Sequence, residues 1–364
     1  KNVPELRFPG FEGEYSLDIF GNLATNKSEK FNPQNENASI DIELDCIEQN
    51  TGRLIKIYNS KEFSSQKNKF NPQNVLYGKL RPYLNKYYFT KKSGVCSSEI
   101  WVLKSTKEDK LLNLFLYYFI QTKRYSDVAS KSAGSKMPRA DWGLIENIRV
   151  YFPELCEQQK IGQFFSKLDR QIELEEQKLE LLQQQKKGYM QKIFSQELRF
   201  KDENGNDYPV WEEKQLGELS QIVRGASPRP IKDPKWFNKE SDIGWLRISD
   251  VTNQNGKIYH LEQKLSIEGQ EKTRVLVTTH LLLSIAASIG KPVMNFVKTG
   301  VHDGFLIFLN PKFNLFFMYY WLEYFKDKWS KYGQPGSQVN LNTEIVKSQT
   351  LNMPSNHEQE KVGQ

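Results

Sequence analysis

The sequence predicts an α+β protein built as two pseudo-repeated globular domains joined by one long helix. The first observation behind this is duplication. Glu5-Leu6-Arg7-Phe8 returns as Glu197-Leu198-Arg199-Phe200, the run from Tyr15 to Leu23 returns as the run from Trp211 to Leu219, and Phe152-Pro153 with Glu157-Gln158 returns as Met353-Pro354 with Glu358-Gln359. The spacing grows slowly along the chain, so each copy is a domain of about 200 residues and not a short solenoid unit. The second observation is a proline-free stretch over 154–196, dense in Glu, Gln, Lys and Leu. The third is that both copies mix short β-favouring runs with one late helical stretch.

The elements follow in order. Residues 1–13 and 197–210 are rich in Gly, Pro, Asn and Asp and predict loops leading into each repeat. Strands are expected at 54–58, 87–90, 99–103, 243–248, 281–285, 293–297 and 305–309, punctuated by turn residues such as Ser93-Gly94 and Thr299-Gly300. Helices are expected at 110–123 and 314–329, giving each half a moderately curved sheet with a helix. The domain boundaries are then 1–153, 154–196, 197–355 and 356–364.

Within 154–196 the apolar positions Ile161, Phe165, Leu168, Ile172, Leu179, Leu182, Tyr189 and Ile193 alternate by threes and fours if Glu175 and Lys186 fill two seam positions. That is a heptad seam, and about 40 residues at 1.5 Å each make a rod of about 60 Å. A lone apolar stripe of this length needs a partner helix; an ordinary surface helix is the alternative. Asn356-His357-Glu358-Gln359 begins the same helix again before the sequence ends at Gln364. A second long helix is therefore expected beyond that point, packed antiparallel to the first as a coiled coil.

Composition narrows the class. Lys and Arg total 51 against 44 acidic residues, for a net charge of +7, which favours a polyanionic partner. The three cysteines, Cys46, Cys96 and Cys156, are widely separated and form no CxxC, so a reducing, cytoplasmic setting without a disulfide framework is expected. No apolar run reaches the ~18 residues of a membrane span.

Catalytic patterns fail one by one. The Gly-Lys pairs at 78–79, 256–257 and 290–291 lack the upstream glycine and the following Ser/Thr of a phosphate loop. Phe31-Asn32-Pro33-Gln34 and Phe70-Asn71-Pro72-Gln73 lack the second proline and the aromatic of an amino-methyltransferase loop. Glu212-Glu213-Lys214 has the letters of a nuclease core but falls where a loop is expected. The four histidines have no metal-ligand spacing. No catalytic residue, metal or bound cofactor is expected on this chain.

Segments that mix positive charge with small and amide side chains are the expected nucleic-acid contacts. In the first half these are Lys79, Arg81, Tyr83, Asn85 and Lys86, with Ser132, Ser135, Lys136 and Arg139 in a second loop. In the second half they are Arg224, Ser227 and Arg229, then Ser288 and Lys291, then Gln334, Ser337, Gln338 and Asn340. The loops around Gly134-Ser135 and Gly336-Ser337 are counterparts, one basic and one rich in amides, so the halves are expected to read different sequences.

Several of these motifs, in this order and duplicated, have a family counterpart. They are Pro4-Glu5-Leu6-Arg7-Phe8-Pro9-Gly10-Phe11, Leu80-Arg81-Pro82-Tyr83-Leu84-Asn85, Gly134-Ser135 with Gly336-Ser337, and Phe152-Pro153-Glu154-Leu155-Cys156-Glu157-Gln158 running into the long helix. Through them the whole chain resembles the specificity subunit of bacterial type I restriction-modification systems. The resemblance implies two target-recognition domains separated by conserved helices that pack as an antiparallel coiled coil, each domain reading one half of a bipartite double-stranded DNA site. It also implies two modification subunits that use S-adenosylmethionine to methylate adenine at N6. Two restriction subunits using ATP and Mg would complete the complex, leaving this chain non-catalytic. The departure is the missing second helix. A sequence-independent scaffold and an enzyme with an unrecognised nuclease core are the rival readings.

Overall fold

A computed structural model describes residues 3–37, 39–131, 136–332 and 341–364. The chain divides into two compact units, Lys1–Lys178 and Leu179–Gln364. The dividing point lies inside one continuous helix, Leu155–Phe194, referred to below as the connector helix.

In the first unit the central sheet runs Ala24–Thr25, Ile100–Ser105, Val75–Gly78, Tyr87–Phe89. Ile100–Ser105 is buried on both faces because its residues alternate between two cores. Trp101 and Leu103 join Tyr77, Leu116 and Tyr125 under the helices Asn113–Phe119 and Lys123–Ala129. Ile100 and Val102 point the other way and join Ile42, Phe70 and Cys96 of a second sheet. That sheet is five-stranded, ordered Lys30–Phe31, Lys67–Phe70, Gly94–Cys96, Ile40–Ile42, Tyr58–Asn59.

The second unit repeats the plan. Its five-stranded sheet runs Gln221–Arg224, Phe305–Leu309, Leu281–Ser284, Pro292–Asn295, Lys257–Ile258. Phe308 and Leu306 pack under the helix Leu315–Phe325, while Phe305 and Ile307 join Leu246 and, from a three-stranded sheet, Leu276 and Val301. The repetition extends to register. In the first unit Ile40–Ile42 pairs parallel with Gly94–Cys96, and in the second Gly244–Trp245 pairs parallel with Thr299–Val301.

A third, two-stranded sheet closes each unit. Ser16–Ile19 pairs antiparallel with Arg149–Phe152, and Glu212–Gln215 pairs antiparallel with Thr350–Met353. Directly after each closing strand a helix starts, and its first turn is clamped. Glu157 is 1 % exposed and takes Arg7 through Nε (2.9 Å) and Nη2 (2.5 Å), with Tyr15 Oη donating from 3.3 Å. Burial pushes the Tyr15 hydroxyl up to about 12, helped by the Glu157 charge. Glu358 is fully buried and takes Arg199 through Nε (3.2 Å) and Nη2 (2.8 Å), with Trp211 Nε1 donating from 2.9 Å. The neighbouring glutamines match as well. Gln158 accepts from Leu112 N and donates to Pro153 O; Gln359 accepts from Asn314 N and donates to Pro354 O. The duplicated letters are thus a duplicated strut holding the leading loop of each repeat to the start of the helix that leaves it.

Several expectations need correction. Among the described residues each unit carries three sheets, not one curved sheet. The expected strand 54–58 is only a bridge at Leu54 and the pair Tyr58–Asn59, because Ile55 and Ile57 face solvent and bury nothing. The strand at 243–248 stops at Trp245, and Ile248 opens the short helix Ile248–Asn253, with Asp250 accepting from Arg247 N. The helix expected at 110–123 begins at Asn113 and breaks after Phe119; Asn113 Oδ1 instead accepts from Ser105 N. The helix expected at 314–329 starts on Asn314, which caps Phe316 and Phe317, and tightens into a 3₁₀ turn over Lys326–Tyr332. Glu212–Gln215 is a strand and not a loop.

Along the connector helix, Phe164 meets Phe8 and Phe165 meets Tyr118 at ring distances of 5.4 and 5.3 Å. Ile193 and Phe194 pack on the core of the second unit. Between these ends, Leu168, Ile172, Leu179, Leu182 and Tyr189 are exposed; Ile161, ahead of Phe164, is partly buried. Among the described residues no helix is long and apolar enough to cross a membrane.

Replacing Glu358 with Ala strands the Arg199 guanidinium and the Trp211 indole at a buried position. It is expected to lower the stability of the second unit by about 3 kcal/mol, read as a shift in its urea unfolding midpoint. Replacing exposed Glu203 with Ala should change the stability read from that midpoint by less than about 0.5 kcal/mol. Equal shifts in the two variants would show that the strut adds nothing.

Candidate nucleic-acid interface

In the first unit two of the expected segments merge into one surface. Lys79 N donates to Glu99 O (3.0 Å), Arg81 N to Pro138 O (2.7 Å) and Ala140 N to Lys79 O (2.8 Å). Residues 78–86 are thereby stitched to 136–140, with Glu99 between them. Arg81 and Asn85 both adopt left-handed backbone, at φ of 53° and 45°, and flank the 3₁₀ turn Pro82–Leu84. For non-glycine residues that conformation costs about 1–3 kcal/mol each. The result is a tight projection that leaves Arg81 and Tyr83 exposed.

Not every basic group here is available. Lys86 donates to Leu44 O at 2.6 Å, and Asn85 Nδ2 donates to Asn50 Oδ1 at 3.0 Å. Arg139 grips Glu99 with Nε and Nη2, at 3.0 and 2.9 Å, and Lys79 stands 4.0 Å from the same carboxylate. The Arg139 hydrogen bond holds the Glu99 carboxyl below its ordinary range, despite partial burial. Lys136 is exposed.

The second unit builds a comparable device around Asp303. Ser227 Oγ donates to Oδ1 (2.7 Å), Arg229 Nη2 to Oδ2 (2.8 Å), and Arg224 Nε to the Asp303 backbone oxygen (2.6 Å). The Ser227 hydrogen bond is the main reason the Asp303 carboxyl sits low, with Arg229 and His302 adding to it. Beside it a cleft of about 290 Å³ is lined by Arg229, Trp245, Arg247, His302 and Asp303 among others. His302 lies 5.7 Å from the Trp245 ring and 4.8 Å from Phe305, and its Nδ1 accepts from Gly304 N at 2.9 Å. Burial lowers its pKa, with Asp303 opposing.

Glu99 and Asp303 occupy matching places. Glu99 immediately precedes Ile100, which opens the central strand of the first unit, and Asp303 stands one residue further back from Phe305, which opens the central strand of the second. Each carboxylate presents an arginine fork at the mouth of its sheet. Sequence reasoning missed both acids because it searched for cations; the signal was an acidic residue just ahead of a long buried strand in each half.

The remaining expected residues are scattered. Ser288 lies in the turn before Pro292–Asn295, and Lys291, whose Nζ donates to Asn255 Oδ1 at 3.2 Å, lines a different cleft beside the connector helix. Ser132, Ser135, Gln334, Ser337, Gln338 and Asn340 lie outside the described residues. The nuclease-like letters do not assemble: Glu212 pairs with its neighbour Lys214 at 2.9 Å on an exposed face. Among the described residues, no group of three His, Cys, Asp or Glu side chains is placed to hold a metal.

Comparison with known proteins fits this geometry. The family profile described as the type I restriction modification DNA specificity domain matches residues 16–184 and again 209–364. The type I restriction enzyme MjaVIII specificity subunit of Methanocaldococcus jannaschii is 25 % identical over 302 residues, covering 76 % of this chain and 67 % of the relative. The EcoDI specificity subunit of Escherichia coli is 26 % identical over 164 residues, 44 % of this chain and only 36 % of its own length. The solved type I restriction-modification S subunit from M. genitalium superposes with a TM-score of 0.59 over 99 % of this chain and 90 % of that one, at 14 % identity, and so shares the fold. With both halves matched, the chain belongs to the family of type I restriction-modification DNA specificity subunits, of which it carries two copies of the specificity domain.

Proposed function

We propose that each unit reads one half of a bipartite double-stranded DNA target and that the connector helix fixes the gap between the halves. The observation that carries this reading is the repeated clamp. The same sheet plan, ending in a carboxylate that aims an arginine, occurs once in each unit. One unbroken helix takes part in both units. Arginine forks suit guanine edges and phosphates, and the different side chains around Glu99 and Asp303 suit two different half-sites.

On this reading the chain supplies the address and its partners supply the chemistry. Two modification subunits would bring S-adenosylmethionine and methylate adenine at N6, and two restriction subunits would bring ATP and Mg, all in the cytoplasm. The exposed stripe Leu168, Ile172, Leu179, Leu182 and Tyr189 supports a helical partner, packed as an antiparallel coiled coil.

The test is methylome sequencing of cells that carry a cognate modification subunit with or without the full-length chain. N6-methyladenine is expected at one two-part motif only when the chain is present. If no motif appears with a competent modification subunit, DNA addressing is wrong and the scaffold reading takes its place.

Two variants refine the same measurement. Arg229→Ala is expected to cost about 1–3 kcal/mol of discrimination and to relax the motif in one half only. Inserting seven residues in the exposed middle of the connector helix adds about 10 Å. The unspecified gap should then change by about three base pairs while both half-sites persist; an unchanged gap would refute the ruler.

A further inference from the structure

The C-terminal part of the connector helix and the second unit enclose a cleft of about 740 Å³ that the base-reading loops do not explain. Five lysines line it: Lys186 and Lys187 from the helix, Lys291 ahead of Pro292–Asn295, and Lys326 and Lys328 from the 3₁₀ turn. Its carboxylates are Glu197, Glu323 and Asp327. Glu323 is taken by Lys186 at 2.8 Å, and Lys328 donates to Tyr324 Oη at 2.9 Å. Lys291 reaches only the neutral amide of Asn255. Among the described residues, the ammonium groups of Lys187 and Lys326 meet no hydrogen-bond or ion-pair partner.

The positive charge is also mutually opposed. The Lys291 ammonium is disfavoured first by burial and then by the positive charge of Lys326, with Glu323 pulling the other way. Like charges held together around a partly buried lysine favour entry of an anion. The cations are lysines without exception. Lysine is a mobile point charge and lacks the planar fork that matches a base edge, so it suits phosphate oxygens irrespective of sequence.

We propose that this cleft holds the phosphodiester backbone of DNA outside the half-sites, as a sequence-independent grip beside the connector helix. The proposal rests on the DNA-addressing reading and adds a contact surface to it. It requires that several phosphates be neutralised at once, which shows in the salt dependence of binding.

The experiment uses the full chain and two labelled duplexes of equal length, one carrying the methylated motif and one scrambled, followed by anisotropy from 50 to 200 mM salt. In the double variant Lys187→Gln, Lys326→Gln, the log K against log salt slope is expected to flatten by about 2. Affinity should fall roughly tenfold for both duplexes, leaving their ratio unchanged. Glu323→Gln frees Lys186 and is expected to tighten binding to both, which guards against a double variant that merely folds poorly. Unchanged slopes in both variants would overturn the cleft proposal and leave an acidic protein surface as its partner. A wild-type chain that binds both duplexes equally would instead sink the addressing reading, while the cleft is still tested on either duplex.

Discussion

In each unit one buried carboxylate, Glu157 in the first and Glu358 in the second, ties the leading loop to the start of the helix that leaves it. Stripping water from such a group costs several kcal/mol. Charge-assisted hydrogen bonds return about 1.5–3 kcal/mol each, so the three donors gathered on Glu358 roughly offset the loss. The net gain is modest, and the value of the arrangement lies in position. Arg199 also donates to the backbone oxygens of Tyr208 and Pro209, and Arg7 to that of Gly13. The guanidinium therefore knots the leading loop to itself and to the helix in a single place. The closing strands Ser16–Ile19 and Glu212–Gln215 begin just after these knots.

A second constraint follows from the central strands. Ile100–Ser105 and Phe305–Leu309 alternate their side chains between two cores, so a slip of one residue would exchange the helix-facing set for the sheet-facing set. That fixed register in turn fixes where Glu99 and Asp303 emerge at the strand mouths. Arg139 and Arg229 then need no search to find their places, because the carboxylates aim them. The register of these two strands thus sets the place of both carboxylate–arginine pairs.

Much of this was legible in the letters. The duplication, the long helix and the strand Phe305–Leu309 all follow from pattern, because each is a run whose burial is local and periodic. The short strands were harder. Ile55 and Ile57 have β-branched side chains but face water, and nothing local distinguishes them from buried neighbours. Ser16–Ile19 was hidden because its partner lies at Arg149–Phe152, far along the chain. The clamps were hidden for a similar reason: Glu99 and Arg139 are 40 residues apart, Arg229 and Asp303 are 74 apart, and pairing at that range leaves no period to detect. Lys86 was likewise not legible: its ammonium donates to the Leu44 carbonyl, 42 residues away.

Two kinds of positive charge emerge from this sorting, and they answer different physical demands. Arginines held by carboxylates have lost rotamer freedom before any ligand arrives, so less entropy remains to be lost when they meet a base edge. Their net charge is partly cancelled by Glu99 and Asp303, which weakens indiscriminate attraction to phosphate and leaves geometry to decide. Lysines left unpaired do the opposite. They keep full charge and full mobility, attract any polyanion from a distance, and discriminate poorly. A protein that must find one site among many gains from both kinds of charge. Within the second unit, Arg229 is paired with Asp303, whereas, among the described residues, Lys187 and Lys326 line the lysine cleft without a carboxylate of their own.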